Sequence, residues 1–299
     1  MAAAAPLIRL APSRYTLPRP FLKWVGGKGQ LLAPLLERVA AAGSFRAYHE
    51  PFVGGGALFF ELHRQGALRD GAVLSDRNPQ LIEAWEVVRD DVDALVDALA
   101  AHKSRHGEAY YYQVRAERSS DKIARAARLI YLNKTCFNGL YRENRRGDFN
   151  VPFGRYTDPP ILDEDNLRAG SAALGEVELH CRPFATAAAD VRRGDFAYFD
   201  PPYVPVSKTA VFTEYQKGGF GEADQRALAG VFRSLSGRGA KVMLSNSWAP
   251  LVHECYADFT RHELSASRNL NCKTDRRGAV SEALVENFAQ LRPARRLAG

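Results

Sequence analysis

Asp200, Pro201, Pro202 and Tyr203 follow an apolar run at 196–199 and could carry out chemistry on a nitrogen. An aromatic amine is a poor nucleophile because its lone pair is delocalised into the ring. The Asp200 carboxylate and the Pro201 carbonyl could each accept a hydrogen bond from that amine, which favours the pyramidal nitrogen of the attacking state. Pro202 would stiffen the loop, and Tyr203 offers a face for a flipped base. The tetrad indicates alkylation of an exocyclic amine; the alternative is an ordinary Asp-Pro turn.

A glycine-rich turn, Gly54-Gly55-Gly56, follows a short predicted strand, and Asp76 ends the next one. Glycines let the backbone turn tightly and approach a ligand closely. An acid at this distance is placed to hold a ribose hydroxyl. The pattern predicts an adenosine-containing cofactor, although strict GxGxxG spacing is absent, which disfavours a dinucleotide. A plain turn followed by an N-cap Asp is the alternative.

Two basic segments could bind ligands. In the first, Trp24 could cover an adenine or a methionine chain, and Lys28 could pair with a carboxylate; a core Trp and a surface Lys are the alternative. The spacing is not that of a phosphate-binding P-loop. In the second, residues 134–160, Arg and Lys alternate with Phe, Tyr and Asn. Such a segment could bind DNA phosphates, read base edges and wedge an aromatic ring into a base stack, or form a solvated basic loop.

Composition limits the classes of protein. The chain has 299 residues, 46% hydrophobic and 25% charged, with a formal net charge of +7. These values are near the averages for globular proteins and exclude wholesale disorder. No stretch reaches the ~20 apolar residues of a membrane span. The four cysteines are widely spaced without a CxxC pair, which predicts free thiols and no zinc site.

Hydrophobic periodicity predicts an α/β fold of the doubly wound, Rossmann-like type. Helices are expected at 30–42, 58–65, 79–101, 108–118, 122–133 and 223–235, strands at 45–50, 72–75, 177–181, 197–199 and 241–245, and a β-ribbon near the end. The expected organisation is a basic arm at 1–20, a discontinuous catalytic domain at 21–105 and 175–290, an inserted domain at 106–170, and a tail at 291–299.

Five ordered motifs resemble the Dam family of DNA adenine-N6 methyltransferases, the α group: FLKWVGGKGQLL, EPFVGGGALFFE, LSDRN, NGLYRENRRGDFNVPFGRY and FDPPYVP. The resemblance spans residues 20–290. It implies a class I methyltransferase sheet, mostly parallel with one antiparallel strand, and an inserted target-recognition domain. It also implies S-adenosyl-L-methionine as cofactor and Asp200–Tyr203 as the catalytic tetrad. The implied cofactor-contacting residues are Trp24, Lys28, Glu50, Phe52, Gly54, Gly56, Asp76, Phe184 and Asp200.

The same resemblance implies a set of DNA-contacting residues: Lys23, Lys134, Phe137, Asn138, Leu140, Arg142, Asn144, Asn150, Pro152, Arg155 and Tyr156. Leu140, Arg142 and Pro152 match positions that read bases in members that modify the adenine of GATC, and Lys23 matches a residue that reaches the first guanine. Phe137 stands where a Tyr is common and Lys134 where an Arg is usual. Arg276 and Arg277 are expected to add contacts to the DNA backbone; a solvated turn is the alternative.

Other functions stay open on the sequence alone. A methyltransferase of this type could act on RNA or on a protein amide, or the chain could be an inactive DNA-binding scaffold. A nicotinamide dehydrogenase does not account for Asp200–Tyr203. We expect a cytoplasmic, nucleoid-associated protein without an obligate protein partner; the sequence leaves the oligomeric state open, with a monomer as one alternative. Whether it accompanies a restriction enzyme or acts alone is left open.

Overall fold

The structure is a computed structural model that describes residues 17–24, 26–29, 31–144, 146–205, 220–267 and 279–288. The basic arm predicted at 1–20 therefore lies largely outside the described residues. The tail at 291–299, Arg145 and the predicted DNA contacts of Arg276 and Arg277 also lie outside them. In the described part of the chain, no helix is both long and apolar enough to cross a membrane.

Seven strands form one central sheet. In chain order they are β1 (Tyr48–Glu50), β2 (Ala72–Asp76), β3 (Val177–Cys181), β4 (Phe196–Phe199), β5 (Lys241–Ser247), β6 (Thr260–Ser267) and β7 (Ala279–Glu286). Their order in the sheet is β3-β2-β1-β4-β5-β7-β6. Strands β1 to β5 pair in parallel, and β7 pairs antiparallel with both β5 and β6. The predicted sheet, mostly parallel with one antiparallel strand, is confirmed.

Helices cover both faces of this sheet. They are α1 (Leu32–Ala42), α2 (Ala57–Arg64), α3 (Pro79–Asp90), α4 (Val92–Ser104), α5 (Glu108–Ala116), α6 (Lys122–Thr135), α7 (Glu164–Leu174), α8 (Phe184–Ala187), α9 (Glu222–Arg238) and α10 (Pro250–Cys255). Strand β4 illustrates why both faces are covered: a central parallel strand is buried on both of its faces. Its residues Phe196 and Tyr198 enter a core with α1 to α7, whereas Ala197 and Phe199 enter a second core with α9 and α10.

Several helices differ from the sequence-based expectation, which does not include the short helices α8 and α10. The long helix predicted at 79–101 is two helices, α3 and α4, which are separated at Asp91 (φ −133°, ψ 35°). Asp is a poor residue inside a helix because its side chain competes for backbone hydrogen bonds, and here its carboxylate accepts a 2.6 Å hydrogen bond from Lys122 at the start of α6. Helix α7, which the sequence pattern does not predict, packs on α3 and α4.

The segment predicted as an insert is anchored on the helical layer of the sheet. Helix α6 packs against α3 and α4, and its apolar residues belong to the same core as the sheet. After α6 the chain forms a 3-10 turn (Phe137–Gly139) and a loop that is held by two isolated antiparallel bridges, Cys136 to Phe153 and Glu143 to Phe149. The predicted domain boundaries stay predictions.

Candidate active site

The motifs predicted for the cofactor and for catalysis lie at the carboxyl ends of adjacent parallel strands. The glycine loop follows β1, Asp76 is the last residue of β2, Phe184 follows β3, and Asp200 follows β4. From β1 the chain adds β2 and β3 on one side, and it then crosses back to place β4 on the other side of β1, so the strand order reverses between β1 and β4. In open α/β sheets the crevice at such a switch point is where ligands bind. The fold therefore brings the motifs predicted for the cofactor and for catalysis to a single edge.

Asp200 and Lys28 form a buried ion pair in this crevice. Lys28 Nζ lies 2.7 Å from Asp200 Oδ2, donates a hydrogen bond to the Gly26 carbonyl at 2.5 Å, and lies 4.9 Å from the centre of the Tyr203 ring. The Lys28 side chain is only 5% exposed. Burial raises the pKa of Asp200, and the neighbouring ammonium of Lys28 opposes this rise. Lys28 therefore favours the ionised form of a carboxylate that burial alone would tend to neutralise.

The other carboxylate oxygen, Asp200 Oδ1, is buried and has no hydrogen-bond partner among the described residues. Leaving a buried acceptor without a donor costs about 1–3 kcal/mol. The oxygen can therefore accept a hydrogen bond from a ligand, and it is the site's clearest unsatisfied group.

A network of polar side chains fixes the loop that contains the tetrad. Gln225 on α9 donates to the Pro202 carbonyl at 2.8 Å, and its own carbonyl accepts a hydrogen bond from Asn246 at 3.0 Å. Asn246 Oδ1 accepts the Val204 backbone N–H at 2.9 Å, and the Ser247 hydroxyl donates to the Val204 carbonyl. The loop is thus held from α9 and β5, in agreement with the need of a catalytic group for a rigid support.

The Tyr203 side chain is held through its hydroxyl and over one face of its ring. Its hydroxyl donates a 2.7 Å hydrogen bond to Glu282 Oε2 on β7, and Lys28 lies over its ring. Burial raises the pKa of Tyr203 well above its usual value, and the neighbouring carboxylates act in the same direction. The ring is therefore neutral and fixed, as a stacking surface requires.

The glycine loop is close-packed against Trp24 and Trp85. A Cβ on Gly54 (φ +47°) would lie 2.7 Å from Trp24 Cδ1, and one on Gly56 (φ +65°) would overlap the Trp85 ring. Trp85 Nε1 donates to the Gly54 carbonyl at 3.2 Å. Glycine is required at both positions by conformation and by space. Trp24 therefore lies directly on the glycine loop, where the sequence predicts a cover for the cofactor.

Asp76 and an aromatic cluster flank the same loop. Asp76 Oδ1 accepts the Asn78 N–H at 2.9 Å and Oδ2 accepts the Gly54 N–H at 3.4 Å, which leaves the carboxylate with lone pairs for a ribose hydroxyl. Phe52 stacks on Phe184 with ring centres 5.5 Å apart, and Phe220 packs edge-on against both. Phe52 and Phe184 are the apolar side chains at this edge that could hold an adenine ring. Burial raises the pKa of Asp76.

Glu50 lies deeper than the other residues predicted to contact the cofactor. It is 3% exposed, and its Oε2 accepts a 2.8 Å hydrogen bond from the Tyr48 hydroxyl. Burial raises the pKa of Glu50 to about 8, although the Tyr48 hydrogen bond and the Lys28 charge lower it. Glu50 is thus mainly protonated at neutral pH and belongs to the buried electrostatic network around Asp200.

Several residues predicted to contact DNA lie together on the loop after α6. Phe137 is 42% exposed, Asn138 (φ +56°) is exposed, and the Phe137 N–H donates to the Pro152 carbonyl at 2.9 Å. Pro152 is exposed and Leu140 is half-buried against the core. Phe137 is thus an exposed aromatic side chain next to the other candidate contacts of this loop.

Two asparagines of this loop have structural partners of their own. Asn144 Oδ1 accepts the N–H groups of Arg146 and Asp148, so its amide closes the turn. Asn150 Oδ1 accepts a 2.7 Å hydrogen bond from Arg142 Nε. Arg142 is exposed, and Asn150 therefore holds its guanidinium in one orientation. The structure thus gives Asn144 and Asn150 partners within the protein in addition to their predicted contacts with DNA.

The remaining cations of this surface lie in different environments. Lys23 is exposed, with Nζ 4.8 Å from the ring centre of Tyr156. Arg155 is exposed and has positive φ (+51°). Lys134 is half-buried, and desolvation together with the charge of Lys23 lowers its pKa to about 8.

Sequence reasoning missed five residues that hold the site: Asn133, Gln225, Asn246, Ser247 and Glu282. Asn133 and Asn246 are fully buried, and Gln225 is 3% exposed. Polar residues at positions that should be apolar are the one signal that could have found them, because buried polar groups need partners. Among the described residues, no three His, Cys, Asp or Glu side chains are grouped to hold a metal ion.

This strand order, with a glycine loop after β1 and Asp-Pro-Pro-Tyr after β4, defines a Rossmann-like methyltransferase fold. Residues 24–270 match the model of the family described as D12 class N6 adenine-specific DNA methyltransferase. The chain belongs to this family, and the resemblance inferred from its motifs is confirmed.

Three relatives illustrate the similarity. The chain is 40% identical over 287 residues to the type II methyltransferase M.MjaIII of Methanocaldococcus jannaschii, covering 90% of this chain and 99% of the relative. It is 39% identical to the type II methyltransferase M1.LlaDCHI of Lactococcus lactis subsp. cremoris, with 90% and 95% covered. It is 34% identical to the DNA adenine methylase of Escherichia coli, with 89% and 94% covered.

Proposed function

We propose that this enzyme transfers the methyl group of S-adenosyl-L-methionine to N6 of an adenine that is flipped out of duplex DNA. The observation that carries the proposal is Asp200 Oδ1, a buried acceptor without a partner among the described residues. It lies at the sheet edge that also holds the glycine loop. An exocyclic amine supplies the hydrogen-bond donor that this oxygen lacks.

The protein's own groups account for activation of the amine. Asp200 Oδ1 and the Pro201 carbonyl accept the two N6 hydrogens, which favours a pyramidal nitrogen whose lone pair is free to attack. Gln225 and Asn246 hold the loop in place, and Lys28 favours the ionised form of Asp200. The amine loses one proton after transfer, and Asp200, whose pKa burial raises, is an acceptor for it.

The residues at the glycine loop fit the cofactor. Trp24, Gly54 and Asp76 would hold the methionine and ribose portions, and Phe52 and Phe184 would hold the adenine. A Cβ on Gly54 would clash with the Trp24 ring, so the loop backbone can lie this close to Trp24 only with glycine at that position. When bound, S-adenosyl-L-methionine supplies an electrophilic methyl group on a sulfonium, so no separate activation of the donor is needed.

The exposed loop after α6 is the proposed DNA-recognition surface. Phe137 would wedge into the base stack and offset part of the cost of flipping, which is a few kcal/mol. Arg142, oriented by Asn150, would read a base edge. The residues at Leu140, Arg142 and Pro152 favour GATC as the target sequence. We expect the enzyme to act as a monomer on DNA in the cytoplasm.

Mapping of N6-methyladenine tests this proposal directly. Plasmid DNA is treated with the purified protein and S-adenosyl-L-methionine, and modified adenines are located by sequencing. Methylation confined to GATC is expected, together with protection from a GATC-specific, methylation-sensitive endonuclease. Methylation at another short motif would reject GATC alone. Duplex binding without any methyladenine would contradict the proposed reaction and direct attention to RNA substrates.

A further inference from the structure

We propose that Asn133 is a positioning residue that fixes Lys23 for DNA binding, although its own side chain is buried and never meets DNA. The inference rests on the proposed function, because it treats Lys23 as a DNA contact. It adds a buried residue on α6 whose amide, rather than any surface group, determines where one of the exposed cations lies.

The first observation is the set of hydrogen bonds that Asn133 makes. Its Oδ1 accepts the Lys23 backbone N–H at 2.7 Å, and its Nδ2 donates to the Lys23 carbonyl at 2.7 Å and to the Gly139 carbonyl at 3.2 Å. Asn133 is fully buried. One side chain thus joins the segment before α1 to the 3-10 turn that carries Phe137. Its acceptor and both of its donors have partners within the protein, so it serves this junction.

The second observation is that the stem of Lys23 is packed at the same junction. A Cβ on Gly139 (φ +63°) would lie 2.8 Å from Lys23 Cδ and 2.9 Å from Lys23 Cβ. Glycine is required here by its positive φ and by this close approach. The ammonium in turn lies 4.8 Å from the centre of the Tyr156 ring. The backbone, the stem and the charge of Lys23 therefore each contact a residue of α6 or of the loop that follows it.

This arrangement has a physical consequence for recognition. A free lysine side chain loses rotamer entropy when it binds. A lysine whose backbone and stem are already fixed loses less on contact with DNA, and its charge reaches one place only. Lys23 should therefore discriminate among duplexes only while Asn133 holds it.

The chain offers a matched control. Asn166 on α7 is also buried and clamps the same N-terminal segment four residues earlier: its Oδ1 accepts the Arg19 N–H at 2.9 Å and its Nδ2 donates to the Arg19 carbonyl at 3.1 Å. Asn166→Ala removes an equivalent pair of hydrogen bonds but leaves Lys23 clamped.

The test compares Asn133→Ala, Lys23→Ala, the double variant and Asn166→Ala. Affinity is measured by fluorescence anisotropy for a short duplex that carries the mapped methylation site and for the same duplex with the site scrambled. Steady-state kinetics separate KM for DNA from kcat. We expect Lys23→Ala to weaken site-specific binding about tenfold, and Asn133→Ala to weaken it several-fold, with kcat at saturating DNA retained.

The decisive comparison is the double variant. If Asn133 acts through Lys23, adding Asn133→Ala to Lys23→Ala has no further effect on discrimination between the two duplexes. Asn166→Ala is expected to lower Tm and to leave this discrimination unchanged. Additive effects, or equal effects of Asn133→Ala and Asn166→Ala, would overturn the inference. Tyr156→Leu supplies a second variant should Asn133→Ala fail to fold, and its effect should also vanish in the Lys23→Ala background. Failure of the proposed function is distinct, because the unmodified protein would then form no N6-methyladenine, whether or not it binds the duplex.

Discussion

The candidate active site and the proposed DNA-recognition surface hold charged side chains in opposite environments. At the sheet edge the side chains of Lys28 and Asp200 are 5% and 20% exposed, and each is held by neighbours from distant parts of the chain. On the loop after α6, Arg142 and Arg155 are exposed, as is Lys23 on the segment before α1. The same residue types thus form a fixed, desolvated pair in one place and a hydrated surface in the other.

The difference follows from the two tasks. Charge–charge interactions strengthen in a dry environment, so a group that stabilises a developing charge is most effective when buried and preorganised. A cation that meets a phosphate backbone gains from released counterions and must be reachable from solvent. Variants at the sheet edge should therefore lower the reaction rate. Variants on the proposed recognition surface should instead lower DNA affinity or specificity.

The largest effect is expected from Asp200→Ala. The variant removes the carboxylate that would accept one of the two amine hydrogens, so the single-turnover rate of adenine methylation should fall at least about 100-fold. Duplex affinity, measured by anisotropy, should be retained because the recognition loop is untouched. Asp97→Ala, an exposed carboxylate on α4, is the control for loss of a negative charge. Loss of DNA binding in Asp200→Ala would mean that the residue is structural.

Arg142→Ala should lower sequence discrimination on the proposed recognition surface without lowering the reaction rate. Loss of a base contact should reduce discrimination at one base pair by about 1–3 kcal/mol and leave kcat on the preferred site nearly unchanged. Discrimination is measured as the ratio of kcat/KM on duplexes that differ at single positions. Arg238→Ala, an exposed arginine at the end of α9 on the opposite edge of the sheet, controls for net charge. An equal loss of affinity for every sequence would identify Arg142 as a phosphate contact.

Lys134 should make duplex binding depend on pH, because its surroundings are intermediate between the two regions. Its pKa is lowered to about 8 by desolvation first and by Lys23 second. The ammonium predominates below that pH, so its contribution to binding is complete at lower pH and is lost as pH rises through about 8. Each further pH unit should weaken binding by up to about tenfold.

Lys134→Arg is the matched control for this pH dependence, since arginine stays protonated throughout. Dissociation constants are measured by anisotropy at constant ionic strength across the range. A wild-type profile that is as flat as that of the arginine variant would show that Lys134 does not contact the phosphate backbone.

Tyr203→Phe should have the smallest effect. The ring that stacks on the base remains, and only the hydrogen bond from the hydroxyl to Glu282 is lost. One such bond contributes about 1 kcal/mol, which corresponds to roughly a fivefold lower rate. Glu282→Gln keeps an acceptor for the hydroxyl and should cost less. If the Tyr203→Phe and Glu282→Gln effects added fully, the two side chains would not act together.

Much of the fold could be predicted because its signals are local. Strand β4 is an unbroken apolar run, Asn78 and Pro79 mark the start of α3, and the glycines after β1 mark a tight turn. The break at Asp91 was missed because hydrophobic periodicity continues across it. Helix α7 was missed because its sequence, EDNLRAGSAAL, is rich in polar and small residues, and its helical state depends on packing against α3 and α4.

By itself the sequence determined the types and order of the residues that carry the chemistry, because turns, glycines and Asp-Pro-Pro-Tyr act within a few residues of one another. Tertiary structure decided which of them meet. Lys28 pairs with Asp200, Asn133 forms hydrogen bonds with the Lys23 backbone, and Glu282 accepts a hydrogen bond from the Tyr203 hydroxyl. The two residues of each pair are far apart in the sequence. Burial then sets their strength, because the same carboxylate or ammonium has a different pKa and a different interaction energy once its neighbours exclude water.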